Sequence, residues 1–214
     1  MANLVIFGGT FDPVHNGHLK VAIKVQQHFH FERFIFLPCK IPVLKNNALA
    51  TPSQRLDMLK LALKDFNQSD YHFEIDEREI NRPAPSYMVT TLEDYRSQLG
   101  SSIAISLLMG IDAFTTLPNW YHWEKLLQLA NIIVIARPGY LLESTLLRNL
   151  LKDKETHDAK LIQTTTHGLI YQFNAGLYDL SSTLIRNQLK QGELKVADLP
   201  SSVIQYIKNN QLYQ

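Results

Sequence analysis

The chain is 214 residues long and balances 21 Lys and Arg against 20 Asp and Glu, a formal charge of +1; this argues against non-specific nucleic-acid or membrane-surface binding as the main activity and leaves room for a local basic site. Apolar residues make up 45% and charged residues 19%, which excludes disorder as the main state and suits a well-filled core. The one cysteine, Cys39, cannot form an internal disulfide, and no stretch approaches the roughly 18 apolar residues of a membrane helix, so a soluble cytoplasmic setting is expected.

Short apolar runs alternate with longer stretches of helical period. Residues 4–7 (Leu-Val-Ile-Phe) read as a first strand and are too short for the core of a signal peptide. A helix is expected from about residue 17 to 29, with Leu19, Ala22 and Ile23 on one face, followed by a strand at 34–37. Thr51-Pro52-Ser53-Gln54 has the signature of a helix start: a Thr N-cap, Pro at the first helical position and Gln at the third. Leu56, Leu59 and Leu63 then give that helix an inward stripe. Residues 71–75 suit a strand, and Met88, Leu92, Tyr95 and Leu99, spaced four, three and four apart, mark a helix face. Residues 103–109 and 132–136 are nearly continuous apolar runs, as expected of strands covered on both faces. Residues 143–167 are the least informative. A last helix begins near Asp198-Leu199-Pro200 and carries Val203, Ile204 and Ile207. Strands alternating with helices predict βαβ units, hence an α/β fold on a mostly parallel sheet with helices on both faces. With no internal repeat or long linker, residues 1–214 read as one domain.

In open parallel sheets ligands bind beyond the carboxyl ends of the strands, so the residues that follow each strand matter most. After the first comes Gly8-Gly9-Thr10-Phe11-Asp12-Pro13-Val14-His15-Asn16-Gly17-His18-Leu19. Two glycines let the backbone turn tightly and bring its N–H groups close to a ligand. The following helix points its positive end at the same place. His15 and His18, three residues apart, can converge on one spot, and Gly17 adds no side chain to block it. The pattern suits an anion site with two ring N–H donors, phosphate being the natural tenant. It is neither a Walker A loop nor a dinucleotide fingerprint. A zinc site is the second option, although no third ligand sits at useful spacing; a plain turn with two surface histidines is the third.

The run from Gly8 to Leu19 resembles the G-x-F-D-P-x-H-x-G-H signature of the HxGH nucleotidyltransferase superfamily. The remaining motifs resemble the nicotinate-nucleotide adenylyltransferases of NAD biosynthesis over nearly the whole chain. That resemblance implies a Rossmann-like core over about residues 1–180 and a smaller C-terminal helical part over about 181–214. It implies ATP and nicotinate mononucleotide as partners, joined with release of pyrophosphate, with Mg²⁺ carried mainly by the ATP phosphates. No nucleic acid or membrane partner is expected, and a homo-oligomer is compatible. His15, His18 and Arg186 would be catalytic, while Gly8, Gly9, Thr10 and Phe11 would hold ATP.

Ser181-Ser182-Thr183-Leu184-Ile185-Arg186 reads as a helix start. Its hydroxyls either cap the helix or help hold an anion that Arg186, one turn inside, reaches bidentately. The segment resembles the family's I-S-S-T-x-I-R motif for the ATP phosphates, with Leu180 in place of Ile. Gly110-Ile111-Asp112 suits ribose hydroxyls or a helix N-cap, and resembles the family's G-x-D at the ATP nucleoside. Trp120-Tyr121-His122-Trp123 is either core or a stacking platform. Its resemblance to W-Y-x-W assigns Trp120 to the nicotinate ring, the Tyr121 N–H to the nicotinate carboxylate and Trp123 to packing. Pro42-Val43-Leu44-Lys45 stands where the family has P-P-H-K, so Lys45 keeps a cation for ATP phosphate but Leu44 lacks the imidazole. Ser86-Tyr87-Met88-Val89-Thr90-Thr91 resembles S-Y-T-x-D-T, departing at Met88 and Thr90, and Met88 joins the pyridine-nucleotide site through its backbone. Phosphopantetheine and nicotinamide-mononucleotide adenylyltransferases share the first motif but should lack Trp120-Tyr121. A nucleotide-binding sensor would keep the site without turnover.

Overall fold

A computed structural model describes residues 2–42, 48–66, 71–136, 142–176, 180–193 and 198–214. Its centre is a six-stranded sheet in which every pairing is parallel: β1 (Asn3–Gly9), β2 (Arg33–Pro38), β3 (Phe73–Ile75), β4 (Ala104–Gly110), β5 (Asn131–Ile135) and β6 (Ile170–Phe173), in the order β3-β2-β1-β4-β5-β6. The chain winds outward from β1 in one direction and returns beside it as β4. That reversal opens a crevice at the carboxyl ends of β1 and β4. Register brings Gly9 level with Pro38 of β2, while Phe7 of β1 is level with Leu108 of β4.

Alternation along the strands divides the core in two. Val5, Phe7, Phe34, Phe36, Leu108 and Ile133 point to one face, where α1 (Asn16–Phe29), α2 (Pro52–Phe66), α8 (Ala159–Thr164), α9 (Ser182–Gln191) and α10 (Ser201–Asn209) cover them. Leu4, Ile6, Ile35, Leu37, Leu107 and Ile132 point to the other, beneath α4 (Met88–Leu99), α6 (Leu126–Leu129) and α7 (Thr145–Lys154). Each fully buried Leu, Ile or Phe contributes about 1.5–3 kcal/mol relative to exposure, so continuous apolar runs on the inner strands are what a two-sided core requires.

The start of α2 is a reciprocal capping box: the Gln54 N–H donates to Thr51 Oγ1 (3.2 Å) and the Thr51 N–H to Gln54 Oε1 (2.9 Å). Leu56, Leu59 and Leu63 are buried. In α1 the inward stripe is Leu19, Val21, Ala22, Val25 and Phe29; Ile23 lies at its margin, only partly buried. The third strand is shorter than the expected 71–75, because it lies at the sheet edge and pairs only with β2. Residues 143–167 contain α7 and α8, and β6 follows them. Tyr171 and Gln172 interrupt the apolar pattern of β6, which is the other edge strand. Among the described residues no helix is long and apolar enough to cross a membrane.

Candidate active site

The turn after β1 is shaped by its own side chains. Phe11 takes a positive φ of 50° and folds its ring back over Gly9, where a Cβ would stand 2.8 Å from Phe11 Cζ. A Cβ on Gly8 would stand 2.9 Å from Met88 Cε. The buried Phe11 ring therefore leaves no room for a side chain at position 9, whereas the Met88 methyl at position 8 is the end of a flexible side chain; both glycines keep ordinary strand backbone angles rather than a positive φ. The Phe11 ring is 2% exposed and meets Phe7, Phe36 and His18. Its side chain belongs to the core, so any part for Phe11 in the expected nucleotide site falls to its backbone.

Two buried charged groups fasten this turn. Arg55, fully buried on α2, donates through Nη1 to the carbonyls of Thr10 (2.6 Å) and Cys39 (2.7 Å), and through Nη2 to that of Lys40 (2.9 Å). It ties the exits of β1 and β2 together. The Asp12 carboxylate accepts the N–H groups of Leu49 (2.9 Å) and Ala50 (3.1 Å) and the Tyr213 hydroxyl (2.7 Å). Sequence reading missed both residues as structural anchors. One signal was present for Arg55: it shares a helix face with Leu59 and Ala62, both buried.

His15 and His18 stack with ring centroids 3.7 Å apart and planes 29° from parallel. They are not equivalent donors on an open turn. His15 is 4% exposed, and burial pushes its pKa from 6.5 down to about 4, so it is neutral near pH 7. Its Nδ1 lies buried without a hydrogen-bond partner, against Gly17, where a Cβ would stand 2.9 Å away. His18 is half-buried, and its Nδ1 accepts the His15 backbone N–H at 3.2 Å. That bond puts the proton of a neutral His18 on Nε2.

The α9 segment docks onto the same turn. Ser181 Oγ accepts the Leu184 N–H (3.1 Å) as N-cap, and Ser182 Oγ donates to the Pro13 carbonyl (3.1 Å). Arg186 donates through Nη1 to the Asp12 carbonyl (2.7 Å) and through Nη2 to Thr183 Oγ1 (3.2 Å). Arg186 is thus held by one bond to the turn and one to its own helix.

Across the crevice, Gly110 caps α5 (Ile111–Thr115) and a Cβ there would meet nothing within 4 Å, so open space lies before it. Asp112 is exposed in the first turn of α5; the N-cap is Gly110. Trp120 is half-buried against the second core cluster with its indole Nε1 buried and unpartnered, while Tyr121 is exposed. The Tyr121 ring lies 4.6 Å from that of Tyr87, and Met88 touches the Gly8 position. The glycine turn, residues 87–88 and residues 120–121 therefore form one continuous wall. Behind it Glu79 of the short α3 (Arg78–Asn81), 2% exposed, accepts the Thr91 hydroxyl (2.7 Å), and burial pushes its carboxyl above the ordinary range. Ser86 Oγ accepts the Lys40 N–H (3.1 Å), joining this wall to the exit of β2. Leu44 and Lys45 lie outside the described residues.

The cytidylyltransferase-like family model matches residues 6–188 of the chain. A protein of Legionella pneumophila (strain Paris) is 44% identical, with all of both chains aligned, and one of Methylococcus capsulatus (strain ATCC 33009 / NCIMB 11132 / Bath) is 37% identical over 97% of this chain and 98% of the relative. Each bears the curated name "Probable nicotinate-nucleotide adenylyltransferase". Among solved structures, Plasmodium falciparum nicotinic acid mononucleotide adenylyltransferase complexed with NaAD shares the fold with a TM-score of 0.74. It is 18% identical and the match covers 100% of this chain and 98% of that one.

Proposed function

The chain belongs to the nicotinate-nucleotide adenylyltransferase group of the cytidylyltransferase-like family, and from that premise we propose that it transfers the adenylyl group of ATP to nicotinate mononucleotide, releasing pyrophosphate, in NAD biosynthesis. The observation that carries this reading is the His15/His18 stack at the exit of the central strand, with Arg186 moored to the Asp12 carbonyl beside it. ATP and nicotinate mononucleotide are its substrates, and a cytoplasmic setting goes with them.

A phosphate oxygen of nicotinate mononucleotide attacks the α-phosphorus of ATP, forming the new P–O bond as the bond to the β-phosphate oxygen breaks. The attacking group is already an anion at pH 7, so no general base is needed. What the protein must do is hold two polyanions in line and meet the charge that grows on the α-phosphoryl and departing pyrophosphate. His18 Nε2–H is the donor for an α-phosphoryl oxygen, oriented by the bond at its Nδ1. Neutral His15 fixes that orientation from beneath. The backbone of residues 8–11 and the start of α1 supply further N–H groups. Arg186 turns from Thr183 to the leaving phosphates, and Lys45 adds a cation. Trp120 stacks on the pyridine ring while the Tyr121 N–H meets its carboxylate. Among the described residues no three His, Cys, Asp or Glu gather as a metal-holding set. Mg²⁺ would come in on the triphosphate, as part of the substrate, and would offset charge on its phosphates.

One assay tests the reading: pyrophosphate release from ATP with nicotinate mononucleotide and, separately, with nicotinamide mononucleotide. Turnover with the first and little with the second is expected. Release with neither overturns it.

A further inference from the structure

Asp12 is a meeting point for parts of the chain that are distant in sequence. Its carboxylate is 3% exposed and holds two backbone N–H groups and the Tyr213 phenol. The Arg186 guanidinium forms only a loose ion pair with it, Nη1 standing 3.7 Å from Oδ2, while its hydrogen bond goes to the Asp12 backbone carbonyl at 2.7 Å. A buried carboxylate left beside a guanidinium would draw it into a direct, commonly bidentate pair. Here neutral donors already hold both oxygens: the Leu49 N–H on Oδ2, the oxygen that faces Arg186, and the Ala50 N–H and the Tyr213 phenol on Oδ1.

Tyr213 is built into this place. Its ring is 7% exposed and packs in the same core cluster as Ile207 and Val203. Its φ of +62° is one that a bulky residue adopts only when its surroundings hold it. Burial and the neighbouring Asp12 charge push its phenol well above the ordinary value, so it remains a donor throughout the neutral range.

We propose that Tyr213 is a positioning residue for the adenine nucleotide: by donating to Asp12 Oδ1 it fixes the rotation of the carboxylate and draws charge away from Oδ2, so that the loose pair with Arg186 does not tighten into a direct bidentate one and the guanidinium stays able to turn to the triphosphate. The inference rests on the reading of Arg186 as a phosphate-binding residue in adenylyl transfer.

The test is Tyr213→Phe, which keeps the ring and removes only the hydroxyl. The control is Tyr206→Phe. Tyr206 also anchors α10, donating to Asp57 Oδ2 at 2.9 Å, but makes no bond to Asp12 or Arg186. Binding of α,β-methylene-ATP is measured by calorimetry for both variants, with unfolding midpoints and steady-state kinetics alongside. Tyr213→Phe is expected to weaken the analogue, and to raise KM for ATP, on the order of tenfold, the size of one hydrogen bond to a charged group. KM for nicotinate mononucleotide stays unchanged. Tyr206→Phe shifts only the unfolding midpoint. In an Arg186→Gln background Tyr213→Phe has no further effect on the analogue, because the route it acts through is gone. The proposal is overturned by unchanged analogue binding in Tyr213→Phe, by equal loss in Tyr206→Phe, or by full persistence of the effect without Arg186. A native chain that binds the analogue but releases no pyrophosphate would sink the catalytic reading and leave the binding comparison to decide this one.

Discussion

At the scale of single residues the two histidines differ first in burial, His15 being buried and His18 half-buried. In the proposed mechanism half-buried His18 donates from Nε2 to the α-phosphoryl group. Removing such a donor from a transition state typically costs about 2.7–4 kcal/mol, so His18→Ala should lower kcat about 10²–10³-fold with the unfolding midpoint little changed. Normal turnover would take His18 out of the mechanism. His15 acts instead through its neutrality. Burial holds its pKa at about 4 against 6.5 in the unfolded chain, so between those values the unfolded chain binds a proton that the folded chain refuses. Stability should therefore fall as pH drops from about 6.5 toward 4, by up to about 3 kcal/mol from this ring. His15→Asn should flatten that slope in denaturant titrations run across the window. A slope equal to that of the native chain would mean His15 already titrates normally.

At the scale of elements the site is made of helix starts and strand exits held in register. α1 opens directly from the turn, and in the described first turns of α1 and α9 no acidic side chain competes for their N–H groups. α2 matters for a different reason: its first residues carry Arg55, and the segment just before it supplies the N–H groups that bind Asp12. Loosening its start should therefore disturb both. Thr51→Ala removes one half of the capping box and should cost about 1 kcal/mol of stability, read as a lower urea midpoint at unchanged m-value. Gln54→Ala should act in the same direction. An unchanged midpoint would show that tertiary contacts alone hold the helix start.

At the scale of the whole molecule, α9, α10 and Tyr213 contribute Ile185, Val203 and Ile207 to the same cluster as Phe7 and Phe36 of the central strands. We expect the C-terminal helices to melt with the sheet in a single calorimetric transition whose van't Hoff and calorimetric enthalpies agree. Two resolved transitions would mean that the C-terminal part is a separate unit. What the sequence by itself determined is local: the strand–helix alternation, the capping box at Thr51 and Gln54, the glycine turn with its histidines at the first strand's exit, and the helix start at Ser181. Each is written in neighbouring residues, through a period of two or 3.6 or through a short motif. Only the tertiary structure decided the strand order that sets β1 between β2 and β4, the burial that neutralises His15, and the joining of Asp12 to Arg186 and Tyr213 across 174 and 201 residues. A single polar residue bound to a distant one leaves no periodic trace. Asp12 and Tyr213 could each have been surface residues until the core closed around them.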